Sequence, residues 1–301
     1  YDPTAGVEAD TVPTVMYLDE SVTPNIYRTI AVQSYDPVAK LVTFETVHFS
    51  KYAVFSPKTA RTPLTVAKID VCKGSAVNPV NCFRSSTDGF FHPNFGSYNT
   101  PGGSAFGMAA YAMWYYDTKV DANTANADLL NKKYREGNLA SINDDVNVRE
   151  LISRIYGTTS QAWAVWASAT DAVINAKWKL TQDQVATQLI NSLQLTNSPQ
   201  MLLLRGTQAG GPTSHAVVVY KYDGTGATKR FYVYDPNVPG EEVTLDYDPA
   251  ATDPTKVLKN YSKLGSTFSA ITKYAFGSIS SGIDPKSFLA LYDGYAAGWT
   301  T

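Results

Sequence analysis

The chain is poor in cysteine, in histidine and in charge. Two cysteines and three histidines occur among its 301 residues, too few for a four-ligand structural zinc site, and no pair among His48, His92 and His215 has ligand spacing. No metal or organic cofactor is expected. Charged residues make up only 17% of the chain and the net charge is −2, so there is no general field for gripping phosphate. Nucleic acid is not an expected partner. No run approaches the ~18 consecutive apolar residues that cross a bilayer, so membrane insertion is not expected either. The first residues, Tyr1-Asp2-Pro3, are neither an initiator Met nor the charged start of a signal peptide, and read as those of a trimmed fragment.

A hydrophobic content of 44% over 301 residues suits one large packed domain or two. Twenty tyrosines stand beside 25 Lys plus Arg, and the other polar residues are largely Thr, Ser and Asn, a mix that suits a secreted or cell-surface β-rich protein. Cys72 and Cys82 flank a stretch containing Gly74, Ser75, Asn78 and Pro79 that is able to fold back. A small disulfide-closed loop is expected there, with two separate buried thiols as the alternative.

Residues 11 to 55 read as strands, over 14–18, 26–32 and 41–46, with turn signals such as Asp36-Pro37 between them. This all-β accessory module, residues 1–60, ends on Val47-His48-Phe49-Ser50-Lys51-Tyr52-Ala53-Val54-Phe55. That ending resembles the HFS-x-YAV close of β-sandwich modules in bacterial surface proteins. His48 is read as a strand residue. The stretch from Ser56 to Pro63, rich in Pro, Thr and Lys, has the composition of a linker, and a second domain is expected over 61–301.

In that domain the nearly all-apolar run from Ser104 to Tyr116 predicts a helix buried on most sides. Helices are also expected over 146–156, 160–178 and 181–195, the last opened by a capping box of Thr181 with Gln184. Strands follow over 201–204, 216–222 and 230–234. Helices first and strands afterwards predict an α+β domain. Trp163, Trp166 and Trp178 fall at spacings suited to core packing, and His92, beside Pro93, reads as a surface or cleft residue.

The richest segment is His215-Ala216-Val217-Val218-Val219-Tyr220, followed by a turn at Asp223-Gly224-Thr225-Gly226 and by Phe231-Tyr232-Val233-Tyr234-Asp235-Pro236-Asn237. A hairpin centred on Thr225 sets His215 opposite Asp235, with Cβ atoms roughly 5 Å apart. A carboxylate at that distance fixes which imidazole nitrogen carries the proton. The preceding Gly210-Gly211-Pro212 suggests a loop that leaves His215 at a surface edge. A base needs a nucleophile, and its natural place is the start of the buried helix, where the helix dipole favours a thiolate. Alanine occupies that place. Ser104 is the alternative nucleophile, but its surroundings miss the G-x-S-x-G elbow by one position.

Gly103-Ser104-Ala105-Phe106-Gly107, with His215-Ala216-Val217-Val218-Val219-Tyr220 and Tyr234-Asp235-Pro236-Asn237 further on, resembles the papain-like cysteine proteases, especially bacterial members close to the bacteriocin-processing peptidases. The resemblance covers residues 95 to 240 and implies a papain-like fold. The family pattern is G-x-C-[FW]-G, so Ala105 matches the nucleophilic cysteine, through either a Cys→Ala substitution or a natural pseudoenzyme. His215 matches the base and Asp235 the third member, with Asn237 as the fallback. Asn99 matches the glutamine of the oxyanion hole. The resemblance implies a thiol-dependent hydrolase, in monomeric form, acting on a peptide or protein substrate and forming part of a larger extracellular protein. The alternatives are a transglutaminase-like acyl transferase and a noncatalytic surface binding module.

Overall fold

The computed structural model describes residues 12–21, 25–46, 51–55, 67–75, 77–94, 103–123, 129–135, 146–158, 161–208, 211–265, 268–279 and 285–296, without the side chains of 161–163 and 296. His48 and Asn99 lie outside the described residues, as do the whole of the proposed linker and the HFS part of the surface-protein motif.

The N-terminal strands β1 (Thr14–Asp19), β2 (Ile26–Ile30) and β5 (Tyr52–Phe55) form a three-stranded antiparallel sheet in the order β2-β1-β5. The run expected as one strand over 26–32 divides at Ala31. Beyond it, β3 (Val32–Asp36) leaves this sheet and pairs with β4 (Leu41–Phe44). The inner faces of these strands are continuous with the main core, which takes in Val15, Tyr17, Ile30 and Val32. Polar contacts also tie them down. Arg28 donates to Asp19 at 2.7 Å and to Asp117 at 2.5 Å, all three side chains being buried, and Thr29 donates to Gln200 at 2.5 Å.

The main sheet has seven strands and is antiparallel throughout. Its order is β13 (Leu258–Lys259), β12 (Val243–Tyr247), β11 (Lys229–Tyr234), β10 (Gly211–Asp223), β9 (Gln200–Gln208) and β14 (Ala270–Gly277), with β6 (Lys68–Asp70) beside the far end of β10. A small hairpin, β7 (Lys73–Ser75) and β8 (Asn78–Val80), lies within the loop closed by the Cys72–Cys82 disulfide. With the helices this makes a mixed α and β fold, as the order of helical and strand patterns predicts.

Eight helices are described: α1 (Ser85–Asp88), α2 (Ala105–Lys119), α3 (Leu130–Lys133), α4 (Val146–Gly157), α5 (Gln161–Ser168), α6 (Asp171–Lys177), α7 (Gln182–Thr196) and α8 (Pro285–Ala296). Every residue of α2 from Ala105 to Tyr116 is buried, because the helix is covered by the sheet on one side and by α4 and α8 on others. Its fully buried Tyr111, Trp114, Tyr115 and Tyr116 each contribute about 1.5–3 kcal/mol relative to exposure. The α7 capping box forms as expected: Gln184 N–H donates to Thr181 Oγ1, and Thr181 N–H to Gln184 Oε1.

The single helix expected over 160–178 is two helices, and Arg205 of β9 is the reason. Its guanidinium donates to the carbonyls of Trp166, at 2.8 Å, and of Ala169, satisfying the C-terminal end of α5, while its Nε holds Asp171 in the first turn of α6 at 2.6 Å. Trp166 and Trp178 meet edge to face at 5.0 Å and are buried, as their spacing suggests.

Candidate active site

His215 and Asp235 meet directly: His215 Nε2 lies 2.6 Å from Asp235 Oδ1. The contact matches the expected pairing, but the register does not. The observed ladder pairs Val218 with Tyr234 and Val219 with Val233, whereas Asp223 pairs with Arg230. The turn is wider than one centred on Thr225, since Asp223 Oδ1 accepts from both the N–H and the hydroxyl of Thr225 and pulls that residue toward the β10 side. Between Val219 and Lys221 the register shifts. Without that bulge the pairing near the turn would carry Asp235 to the opposite face from His215; the extra residue, Tyr220, restores them to one face.

His215 is not at a surface edge. Gly211, at φ +117°, already opens β10, so His215 lies within the strand, opposite Leu204 of β9, and is 2% exposed. Phe268 packs edge-on to its ring at 6.3 Å between centroids. Asp235 is wholly buried. Three groups donate to it: His215 and the Asn237 N–H, at 2.8 Å, share Oδ1, while the Tyr261 hydroxyl takes Oδ2 at 2.5 Å. Burial alone would push this carboxyl up, but the His215 charge and these hydrogen bonds outweigh it and hold the carboxyl below the usual range. The same burial and the adjacent carboxylate push the Tyr261 phenol well above its ordinary value.

Asp235 holds Nε2, so Nδ1 is the imidazole nitrogen left to exchange a proton with a reacting group. Asn237, the fallback third member, points its side chain elsewhere, where its oxygen accepts from Asn94 Nδ2 at 3.0 Å.

The Tyr234-Asp235-Pro236-Asn237 turn also anchors the approach to α2. Tyr234 OH accepts from Phe90 N–H at 3.1 Å, and its ring fills the space that a Cβ on Gly89 would need, so only glycine fits there. Pro236 O accepts from Asn94 N–H at 2.7 Å. Asn94 Oδ1 in turn accepts from Ser104 N–H at 2.5 Å. The chain reaches Ser104 through Gly103, at φ +96°, whose missing Cβ leaves the Asn94 amide its space. The start of α2, with Ala105 as its first helical residue, is thereby tied by Asn94 to the turn that carries Asp235.

Ala105 is 6% exposed and Ser104 1%. Ser104 stands at the N-cap without a side-chain cap. His92, expected at the surface or in a cleft, is 1% exposed, with its ring edge to face with Phe91 at 5.1 Å. Asn99 cannot be placed, lying outside the described residues. Sequence reasoning misses Asn94 and Tyr261. For Asn94 the nearest signal is its position beside the His92-Pro93 pair; for Tyr261, separated from Asp235 by two further strands, there is none.

Among the described residues, one cluster has metal-ligating residue types, Asp70, Cys72 and Cys82, with ligand atoms within 4.8 Å of one another. Its two sulfurs are joined in the disulfide and Arg84 grips both Asp70 oxygens at 2.7 Å, so these groups serve the structure. No described helix is long and apolar enough to cross a membrane. Comparison of the chain with family models, curated proteins and solved structures finds no match.

Proposed function

We propose that this chain is the nucleophile-lacking form of a papain-like thiol peptide hydrolase, in which a cysteine in place of Ala105 works with His215 and Asp235. The observation that carries the reading is the buried His215–Asp235 pair, hydrogen-bonded at 2.6 Å and joined through Asn94 to the first turn of a buried helix. In the active form His215 Nδ1 takes the thiol proton and the thiolate attacks a peptide carbonyl. The oxyanion lies against the N–H of residue 105, with Asn99 as the candidate second donor. His215 then protonates the leaving amine, water releases the acyl group, and Asp235 keeps the imidazole in one tautomer throughout. The Cys72–Cys82 disulfide supports an oxidising, extracellular location.

A second reading, a noncatalytic surface binding module with a native alanine, is favoured by Ala105 itself and by the 2% exposure of His215. The variant Ala105→Cys separates the two. Both native cysteines are in the disulfide, so the introduced thiol is the chain's only free one. The hydrolase reading expects cleavage of a denatured protein substrate, and iodoacetamide alkylation that persists well below the ordinary thiol pKa of about 8.5. An ordinary thiol profile without cleavage would overturn it. Incorporation of an added amine in preference to water would move the chemistry to acyl transfer.

A further inference from the structure

We infer that Tyr261 is a positioning residue of the His215–Asp235 pair: its hydroxyl occupies the carboxylate oxygen that His215 does not use, and so fixes the rotation of Asp235 and its hold on the imidazole. The role rests on the proposed function only for its catalytic meaning. The geometry stands by itself.

A buried carboxylate with one oxygen unengaged is able to turn about its Cβ–Cγ bond and present either oxygen to its partner. Asp235 has no such freedom. Oδ1 is fixed by His215 and by the Asn237 N–H, and Oδ2 by Tyr261. Tyr261 itself is held from both sides. Asn260, just after β13, takes the left-handed conformation at φ +52°, and its amide donates to Asp246 at 3.0 Å. Ser262 N–H donates to Thr244 O at 2.9 Å, and Leu264 N–H to Tyr261 O at 2.9 Å. The sharp turn at Asn260 carries the chain off the sheet and sends the phenol inward, where it is 3% exposed.

Phe268, toward the other end of the β13–β14 connection, packs on the His215 ring. Residues of this one connection therefore bear on both members of the pair. Among the described residues, Tyr261 and Tyr234 feel the Asp235 charge and Tyr274 neighbours Tyr261; the side chains that donate to Asp235 are those of His215 and Tyr261.

Removing the Tyr261 donor concentrates the carboxylate's charge on its bond to His215 and makes the imidazole harder to deprotonate. The test is the titration of His215 by imidazole NMR in the full chain with Ala105 in place, where only three histidines contribute signals. Tyr261→Phe is expected to raise the proton affinity of His215 roughly three- to tenfold. Tyr274→Phe, which removes a hydroxyl not bonded to Asp235, is expected to leave it unchanged. If Tyr261→Phe does not fold, site-specific replacement of Tyr261 by 3-fluorotyrosine keeps the ring and strengthens the donor, and is expected to lower the affinity. An unchanged His215 titration in whichever Tyr261 variant folds, or an equal change in Tyr274→Phe, overturns the assignment. Because the readout needs no thiol, an inert Ala105→Cys protein alongside a shifted titration would remove the hydrolase reading and leave the positioning role standing.

Discussion

Asn94→Ala cuts the bridge between the start of α2 and the Asp235 turn while leaving the backbone bond from Asn94 N–H to Pro236 O in place. Two side-chain hydrogen bonds are lost, one from Ser104 N–H and one to Asn237 Oδ1. Each is worth about 0.5–1.5 kcal/mol net, and the first sits at the upper end because it strands an N–H on a residue that is 1% exposed. The expected destabilisation is about 2 kcal/mol, which for a domain of this size lowers Tm by roughly 5 °C. A double-mutant cycle with Asn237→Ala isolates the direct Asn94–Asn237 term, expected at about 1 kcal/mol. The assay is urea denaturation of the parent, the two single variants and the double variant. In the Ala105→Cys background the same substitution should slow alkylation several-fold, since the helix start is no longer held against the turn. Additive single-variant effects, or a parent and Asn94→Ala that melt together, would refute the bridge.

Two further outcomes concern charge buried away from the site. Burial pushes the Asp88 carboxyl up to about 6 despite its bonds from Thr87 and the Arg84 N–H. A folded value above the unfolded 3.8 means the native state binds the proton more tightly, so stability falls as pH rises from about 4 to 6 and is level beyond. Asp88→Asn keeps an acceptor and should stabilise by about 3 kcal/mol at pH 8 and by little at pH 4; equal effects at both, measured by thermal melts, would contradict this. Arg28→Met leaves Asp19 and Asp117 buried without their shared cation, and should cost about 3–5 kcal/mol at pH 7 by denaturant unfolding. A loss under 1 kcal/mol would show that these side chains are not buried together.

Local signals suffice where one element decides its own conformation. The apolar run of α2, the Thr181–Gln184 cap and the Cys72–Cys82 loop each need only neighbouring residues. The pairing of His215 with Asp235 is legible because it is made across one hairpin, although the bulge at Tyr220 and the wide turn at Asp223 displace the register. What escapes depends on distant strands. Arg205 breaks the helix over 160–178 from β9, Tyr261 reaches Asp235 from the end of β13, and Asn94 finds Asn237 from 143 residues away. None of these side chains announces its partner in the sequence.

Residue 105 and the His215–Asp235 pair must form one site if the proposed chemistry is to run. The most direct measurement is the iodoacetamide alkylation rate at pH 6 of Ala105→Cys, compared with the same variant carrying His215→Ala. If the imidazole takes the thiol proton, removing it should slow the reaction by roughly tenfold or more, since a free thiol is largely protonated there. Equal rates in the two proteins would contradict the assignment.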